Sequence, residues 1–218
     1  MSNVIDARTE SAARVAEEVA QVVFGGGTVI FPTDTVYGIG CDPFHSAAIE
    51  RIYHAKERPH HKPLSLHLAT FAEFVEYARP YPDVVVAARR LMPGPVTIII
   101  PKPAFIGTDV TSGLTTLGFR VPDDPLCGAI LERCGPLAAT SANASGERAY
   151  YGAGDWENLP PADLFVDGGP TKYGRDSTVI DMTGRQPVVL REGVLTAERL
   201  SELLGSVARH DWSIRKRT

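Results

Sequence analysis

Two stretches of the 218-residue chain concentrate side chains that could bind an anion or orient a small polar substrate. From Arg51 to His67 it gathers Arg51, Lys56, Arg58 and Lys62 with four of its six histidines, His54, His60, His61 and His67. Guanidinium and ammonium groups at this density suit phosphate or carboxylate, although a solvated surface loop would have the same composition. Adjacent His60-His61 is weak support for a metal site, which needs ligands converging from fixed positions. The second stretch, Thr140-Ser141-Ala142-Asn143-Ala144-Ser145-Gly146, sets three hydroxyls and an amide within seven residues. Such groups can hold a phosphate or an amino acid through neutral hydrogen bonds, and a plain Ser- and Asn-rich turn is the competing interpretation. A third polar segment, Pro32-Thr33-Asp34-Thr35-Val36-Tyr37-Gly38, runs straight off an apolar stretch. No GxxxxGK[ST], GxGxxG or GxSxG pattern is present, so residue spacing stops at an anion-binding domain.

The elements that must position these groups follow from hydrophobic period and punctuation. Val15, Ala16, Val19, Ala20 and Val23 recur at helical spacing between Thr9 and Phe24, and Gly25-Gly26-Gly27 stops them. Further helices are expected at Ser46 to Ala55 with Ser46 as cap, from a Thr70 capping box to Ala78, and from Pro82 to Leu91. Two more run from the Asp123-Asp124-Pro125 cap to about Gly135 and from Thr196 to about Val207. Strands are expected at 28–31, 64–69, 96–100, 117–121, 137–140, 164–167, 178–182 and 188–190. The polar clusters thus come off strand ends, where ligands favour α/β sheets. The core is expected from about Thr9 to Gly205, with a frayed tail over 206–218.

Composition narrows the class. Hydrophobic residues make up 44% of the chain, ample for a core, while 26 acidic against 22 basic residues leave a net charge of -4. Nonspecific nucleic-acid coating is disfavoured, so any phosphate site must be local. Seventeen prolines and twenty glycines between short apolar runs argue against an all-helical fold. Cys41, Cys127 and Cys134 form no CxxC pair, which suits a reducing compartment, and no signal peptide or 18-residue apolar run appears. A cytoplasmic protein without membrane association is expected.

Taken in order, Phe31-Pro32-Thr33-Asp34-Thr35-Val36-Tyr37-Gly38-Ile39-Gly40, Lys56-Glu57-Arg58-Pro59, Lys62-Pro63-Leu64, Pro93-Gly94-Pro95-Val96-Thr97, Gly118-Phe119-Arg120-Val121-Pro122, Ser141-Ala142-Asn143-Ala144-Ser145-Gly146 and Ser177-Thr178-Val179-Ile180-Asp181 resemble the YrdC/Sua5 family over nearly the whole chain. The resemblance implies a single α/β domain over 1–218, a twisted open mixed sheet flanked by helices around a concave, positively charged cavity. It implies a short, stand-alone type without the second domain of longer members. It also implies synthesis of L-threonylcarbamoyladenylate and pyrophosphate from L-threonine, bicarbonate and ATP, with Mg²⁺ carried on the ATP phosphates. The product would serve N6-threonylcarbamoylation of adenosine 37 in tRNAs reading ANN codons, through handover to a tRNA transferase.

By the same resemblance, Lys56, Arg58, Ser141 and Asn143 form the catalytic set. Lys56, Arg58, Lys62, Thr116, Ser141, Ala142 and Arg191 would contact ATP, with a lysine at 62 where some relatives have asparagine. Thr35, His67, Arg120, Thr140 and Ser177 would surround L-threonine, His67 being the only nearby side chain whose intrinsic pKa suits a general base. Two alternatives stand beside this assignment: a carbamoyl-phosphate-handling domain of the hydrogenase-maturation type, and a noncatalytic RNA-binding module. Weak tRNA binding through Arg215-Lys216-Arg217 is set against a solvated terminus.

Overall fold

The five small apolar residues of the first periodic segment are all buried along α1 (Ala12–Phe24). Its start lies three residues after Thr9 because Thr9 still belongs to a turn, its N–H on the Asp6 carbonyl at 3.2 Å, and Ser11 caps the helix. The computed structural model describes residues 3–152 and 156–209. In α2 (Ser46–Ala55) the cap is not Ser46 but His45, whose Nδ1 accepts from the Ala48 N–H at 3.2 Å. Thr70 caps α3 (Phe71–Ala78), and the Glu73 carboxylate reaches back to the Ala69 N–H at 3.0 Å, one residue beyond the usual capping-box target. Helix α4 (Pro82–Ala88) stops short of Leu91, α5 (Pro125–Cys134) is capped by Asp124, and α6 (Ala197–Leu204), capped by Thr196, stops short of Val207.

Eleven strands form one mixed sheet among the described residues: β1 (Asn3–Asp6), β2 (Val29–Phe31), β3 (Gly38–Cys41), β4 (Ser65–His67), β5 (Val96–Pro101), β6 (Thr116–Arg120), β7 (Leu137–Ser141), β8 (Leu164–Asp167), β9 (Thr178–Asp181), β10 (Val188–Arg191) and β11 (Ala208–Arg209). Their order is β1-β8-β2-β3-β7-β4-β6-β5-β9-β10-β11, so the open sheet flanked by helices is as expected. Three strands escape the sequence pattern. Gly38-Ile39-Gly40-Cys41 has poor strand propensity, yet its backbone is fixed between β2 and β7, Gly38 opposite both Phe31 and Ser141. β1 lies before the expected core and pairs in parallel with β8. The two-residue β11 pairs with β10, so the chain through Arg209 belongs to the sheet rather than to the frayed tail expected from residue 206. The expected tail from His210 onward lies outside the described residues.

Period-two alternation divides the sheet's residues between its faces. On one face Ile30, Ile39, Leu66, Ile98, Phe119, Ala138 and Ile180 join the larger core with residues from α2, α3, α4 and α6. On the other, Val29, Phe31, Leu137, Ala139, Leu164 and Val166 pack with α1 and α5. These two helices stop short of β4, β6, β5 and β9, and the uncovered part of that face is where a ligand can enter.

The connection that carries Arg191 toward this opening hangs on one hydroxyl. Thr178 is fully buried; its Oγ1 donates to the Leu195 carbonyl at 2.6 Å and accepts the Gly193 and Leu195 N–H groups at 3.0 Å each. Thr178→Val keeps the shape and strands two buried N–H groups, so we expect a loss of about 2 kcal/mol or more in urea unfolding.

Candidate functional site

A cavity of ≈ 220 Å³ lies on the uncovered face. Its floor is built by register: Ala139, Ser65, Gly118 and Ile99 sit opposite one another across β7, β4, β6 and β5, and His67 sits opposite Arg120 two residues on. Small residues in this row leave the space. A Cβ on Gly118 would come within 2.9 Å of Thr97 Cγ2, so the Thr97 methyl occupies the space a side chain at 118 would need. Loops and strand ends form the walls: Thr33, Val36, Tyr37 and Gly38, then Arg58 and Pro63, and then Asp176, Ser177 and Arg191.

Arg120 comes from the apolar strand β6 and is 4% exposed. Its Nη2 donates to Asp34 Oδ1 at 2.5 Å and to Thr35 Oγ1 at 2.6 Å, with the Asp34 side chain wholly buried. Thr33 completes the knot, its Oγ1 donating to the Val36 carbonyl at 2.6 Å and accepting the Thr35 N–H at 3.1 Å. Arg120 therefore serves as an ion-pair partner and lines the cavity as well. On the same floor, His67 is buried beside it; burial, reinforced by the Arg120 charge, lowers the imidazole pKa from 6.5 to about 3. A neutral imidazole that resists protonation to this degree accepts a proton less readily than the free side chain would.

The Lys-x-Arg pair separates inward from outward. α2 ends in a Schellman arrangement, with the Glu57 N–H on His54 O at 3.1 Å and the Arg58 N–H on Tyr53 O at 2.9 Å. Glu57 takes φ +48°, a left-handed turn that throws Lys56 and Arg58 apart. Lys56 is 1% exposed and its Nζ donates to the carbonyls of Ser141 and Asn143, while its own carbonyl accepts the Ser145 N–H at 3.1 Å. Burial, with Arg58 adding repulsion, pulls its pKa down to about 7. Arg58 faces the cavity, held by Nε on the Lys62 carbonyl at 3.0 Å and Nη2 on the Pro63 carbonyl at 2.9 Å. Burial first, and the nearby Arg191 charge, lower its pKa below the usual arginine value.

Of the residues singled out in the sequence, Arg58, His67, Arg120, Thr140, Ser141, Ser177 and Arg191 meet around the cavity. Lys56, Lys62, Thr116, Ala142, Asn143 and Thr35 are not in its lining. Asn143 instead donates to the Ala144 and Glu147 carbonyls at 2.8 Å each, bracing the loop that Lys56 pins. Lys62 is exposed and contributes its carbonyl, and Thr116 stands at the start of β6. Sequence reasoning missed Asp34, Asp176, Thr97 and Thr33. Asp34 and Thr33 lie inside a quoted motif, but only the strand pairing shows that Asp34 meets Arg120. Thr97 bonds Ser177, Oγ1 to Oγ, at 3.0 Å. Among the described residues no group of three or more His, Cys, Asp or Glu could hold a metal ion, and no helix is long and apolar enough to cross a membrane.

Comparison with known proteins agrees with this geometry. The profile of the Sua5/YciO/YrdC family, described as "Telomere recombination", matches residues 21–193. The threonylcarbamoyl-AMP synthase of Pyrococcus abyssi is 37% identical over 85% of this chain and 56% of its own. That of Bacillus subtilis is 38% identical over 82% of this chain and 53% of its own, so the chain spans about half the length of these two relatives. The crystal structure of P. abyssi Sua5 complexed with L-threonine superposes with a TM-score of 0.85 at 33% identity, covering 96% of this chain and 62% of that one.

The depressed imidazole of His67 links stability to pH. Between pH 6.5 and about 3 the unfolded chain takes up a proton that the folded site refuses, so this residue's contribution to stability falls as pH falls, by about 1.4 kcal/mol per unit. Urea unfolding at pH 6.5 and 5 should show the wild type losing about 2 kcal/mol more than His67→Asn.

Proposed function

The chain belongs to the Sua5/YrdC family, and on that premise we propose that it condenses L-threonine, bicarbonate and ATP into L-threonylcarbamoyladenylate, releasing pyrophosphate. The observation that carries this reading is one cavity with Arg120 on its floor and Arg58 and Arg191 on its walls. An arginine held rigidly by Asp34 and Thr35 is a ready partner for an amino-acid carboxylate, and two wall arginines suit the phosphates of a nucleotide. The cavity's ≈ 220 Å³ lies below the ~300 Å³ at which drug-sized pockets begin, which fits a threonine inside with the nucleotide extending to the open side.

In this reading Arg120 takes the threonine carboxylate, and Thr140 and Ser177 offer hydroxyls to its side chain. Thr35 acts through Arg120, and neutral His67 shapes the floor. Arg58 and Arg191 take the phosphates beside Ser141 and the Ala142 backbone. Lys56 and Asn143 hold the loop on which Ser141 stands, while Lys62 and Thr116 meet the nucleotide only where it leaves the cavity. The threonine ammonium gives up one proton to become the amine, whose nitrogen forms a C–N bond to CO2 as a second proton leaves it. The CO2 arises from bicarbonate by loss of hydroxide, which takes up one of these protons and departs as water. An oxygen of the resulting N-carboxylate then bonds to the α-phosphorus as the bond to pyrophosphate breaks in line. Charge that builds on the leaving phosphates is met by guanidinium groups already in place. Mg²⁺ would arrive on the phosphates of ATP. Handover of the adenylate to a tRNA-modifying transferase, for adenosine 37, extends the same proposal.

The test is pyrophosphate release with threonine and bicarbonate each present or omitted, together with mass spectrometry for the adenylate. Release requiring both supports the reading; release indifferent to either overturns it. Arg58→Ala should slow release by about 100-fold or more while leaving the thermal midpoint near that of the wild type. Gly118→Val puts two methyl groups into the cavity floor and should abolish saturable threonine binding in calorimetry, with ATP binding retained.

A further inference from the structure

The cavity's charged lining is uneven: three guanidinium groups, Arg58, Arg120 and Arg191, and a single carboxylate, Asp176. Among the described residues Asp176 makes no ion pair, and its side-chain oxygens accept no hydrogen bond, although Arg191 is fastened to the next residue through Ser177 O at 3.0 Å. We propose that Asp176 recognises the α-ammonium group of the amino-acid substrate and is a specificity-determining residue; this rests on the threonine-binding reading above.

An α-amino acid at neutral pH carries one positive and one negative charge. Arg120 answers the carboxylate, but three guanidinium groups repel the ammonium, which therefore needs an anion within the same walls. The other nearby carboxylate, Asp34, has Oδ2 without a partner, but it is fully buried behind the cavity lining with Oδ1 on Arg120. The Tyr37 hydroxyl is spent on the Gly169 carbonyl at 2.7 Å, and His67 carries no negative charge in either protonation state. Asp176 is left.

Its position is firmly set. The Asp176 carbonyl accepts the Val194 N–H at 3.0 Å, and a Cβ on Gly193 would come 2.1 Å from that carbonyl oxygen, so only glycine allows this approach. The neighbouring Ser177 meets Thr97 at 3.0 Å. Since Ile98 pairs with Phe119 in an antiparallel ladder, Thr97 falls beside Arg120. Asp176, the Ser177 and Thr97 hydroxyls and Arg120 thus follow one another along the cavity lining, and a carboxylate in that row gives the three-point arrangement a hydroxylated L-amino acid needs.

Calorimetry with L-threonine, with 2,3-dihydroxybutanoate, in which a hydroxyl replaces the amine, and with ATP tests the proposal. The wild type should prefer threonine over the deaminated acid by about 10- to 100-fold, and Asp176→Asn should lose that preference through weaker threonine binding, with ATP affinity unchanged. Undiminished threonine affinity in Asp176→Asn, or equal loss of threonine and ATP, overturns the proposal. Should that variant fail to fold, Asp176→Ser replaces it, a retained preference for threonine overturning the assignment and a lost one upholding it, and equal affinity of the wild type for the two acids overturns it in either case. A wild type that binds neither threonine nor ATP defeats the functional reading instead.

Discussion

A cation buried in the middle of a sheet has to be answered by an anion at short range, and that requirement at Arg120 organises much of this protein. Leaving such a charge unpaired costs several kcal/mol, so β6 can carry Arg120 only if the chain between β2 and β3 brings Asp34 to it. Thr33 and Thr35 close that loop, and the Tyr37 backbone then joins it to β7, through the Ala142 N–H on Tyr37 O at 2.7 Å. One wall of the cavity is therefore fixed by the same ion pair that seats its central functional group. The pair's contribution lies in geometry more than in net stability, because desolvation offsets most of its Coulomb energy.

Lys56 applies the same logic to the adjoining loop. Its buried ammonium finds the carbonyls of Ser141 and Asn143, and these contacts hold the loop after β7 against the end of α2. The left-handed Glu57 then sends Arg58 the other way, toward the cavity. Two cationic residues separated by one position thus do unlike work, one inside the framework and one at the surface where a ligand arrives. Of the two carbonyls that answer Lys56, that of Ser141 is fixed by β7, while that of Asn143 stands in the loop that the ammonium holds.

Space for the ligand comes from what the sheet omits. Ala139, Ser65 and Gly118 form a low row across strands whose opposite face carries Leu66, Phe119 and Ala138 in the core. The sheet is thus fully packed on one side and hollow on the other at the same residues, and α1 and α5 cover only part of the hollow side. A close-packed interior elsewhere keeps this floor from collapsing.

Hydrophobic period and capping residues, both local properties, were enough to place, among the described residues, all six α-helices to within a few residues and eight of the eleven strands. The motif residues likewise marked which segments approach one another. The sequence did not reveal β3, whose two glycines form a strand only because neighbours on both sides supply hydrogen bonds, nor the short β1 and β11, which pair with strands far along the chain. Nor did it separate residues facing the cavity from those behind it. Lys56 and Arg58 are alike in charge and differ in direction through one backbone turn, and His67 has an ordinary imidazole until burial beside Arg120 keeps it neutral. Side-chain type and local period are written in the chain; orientation, desolvation and the meeting of Asp34 with Arg120 arise only when strands distant in sequence are brought into register.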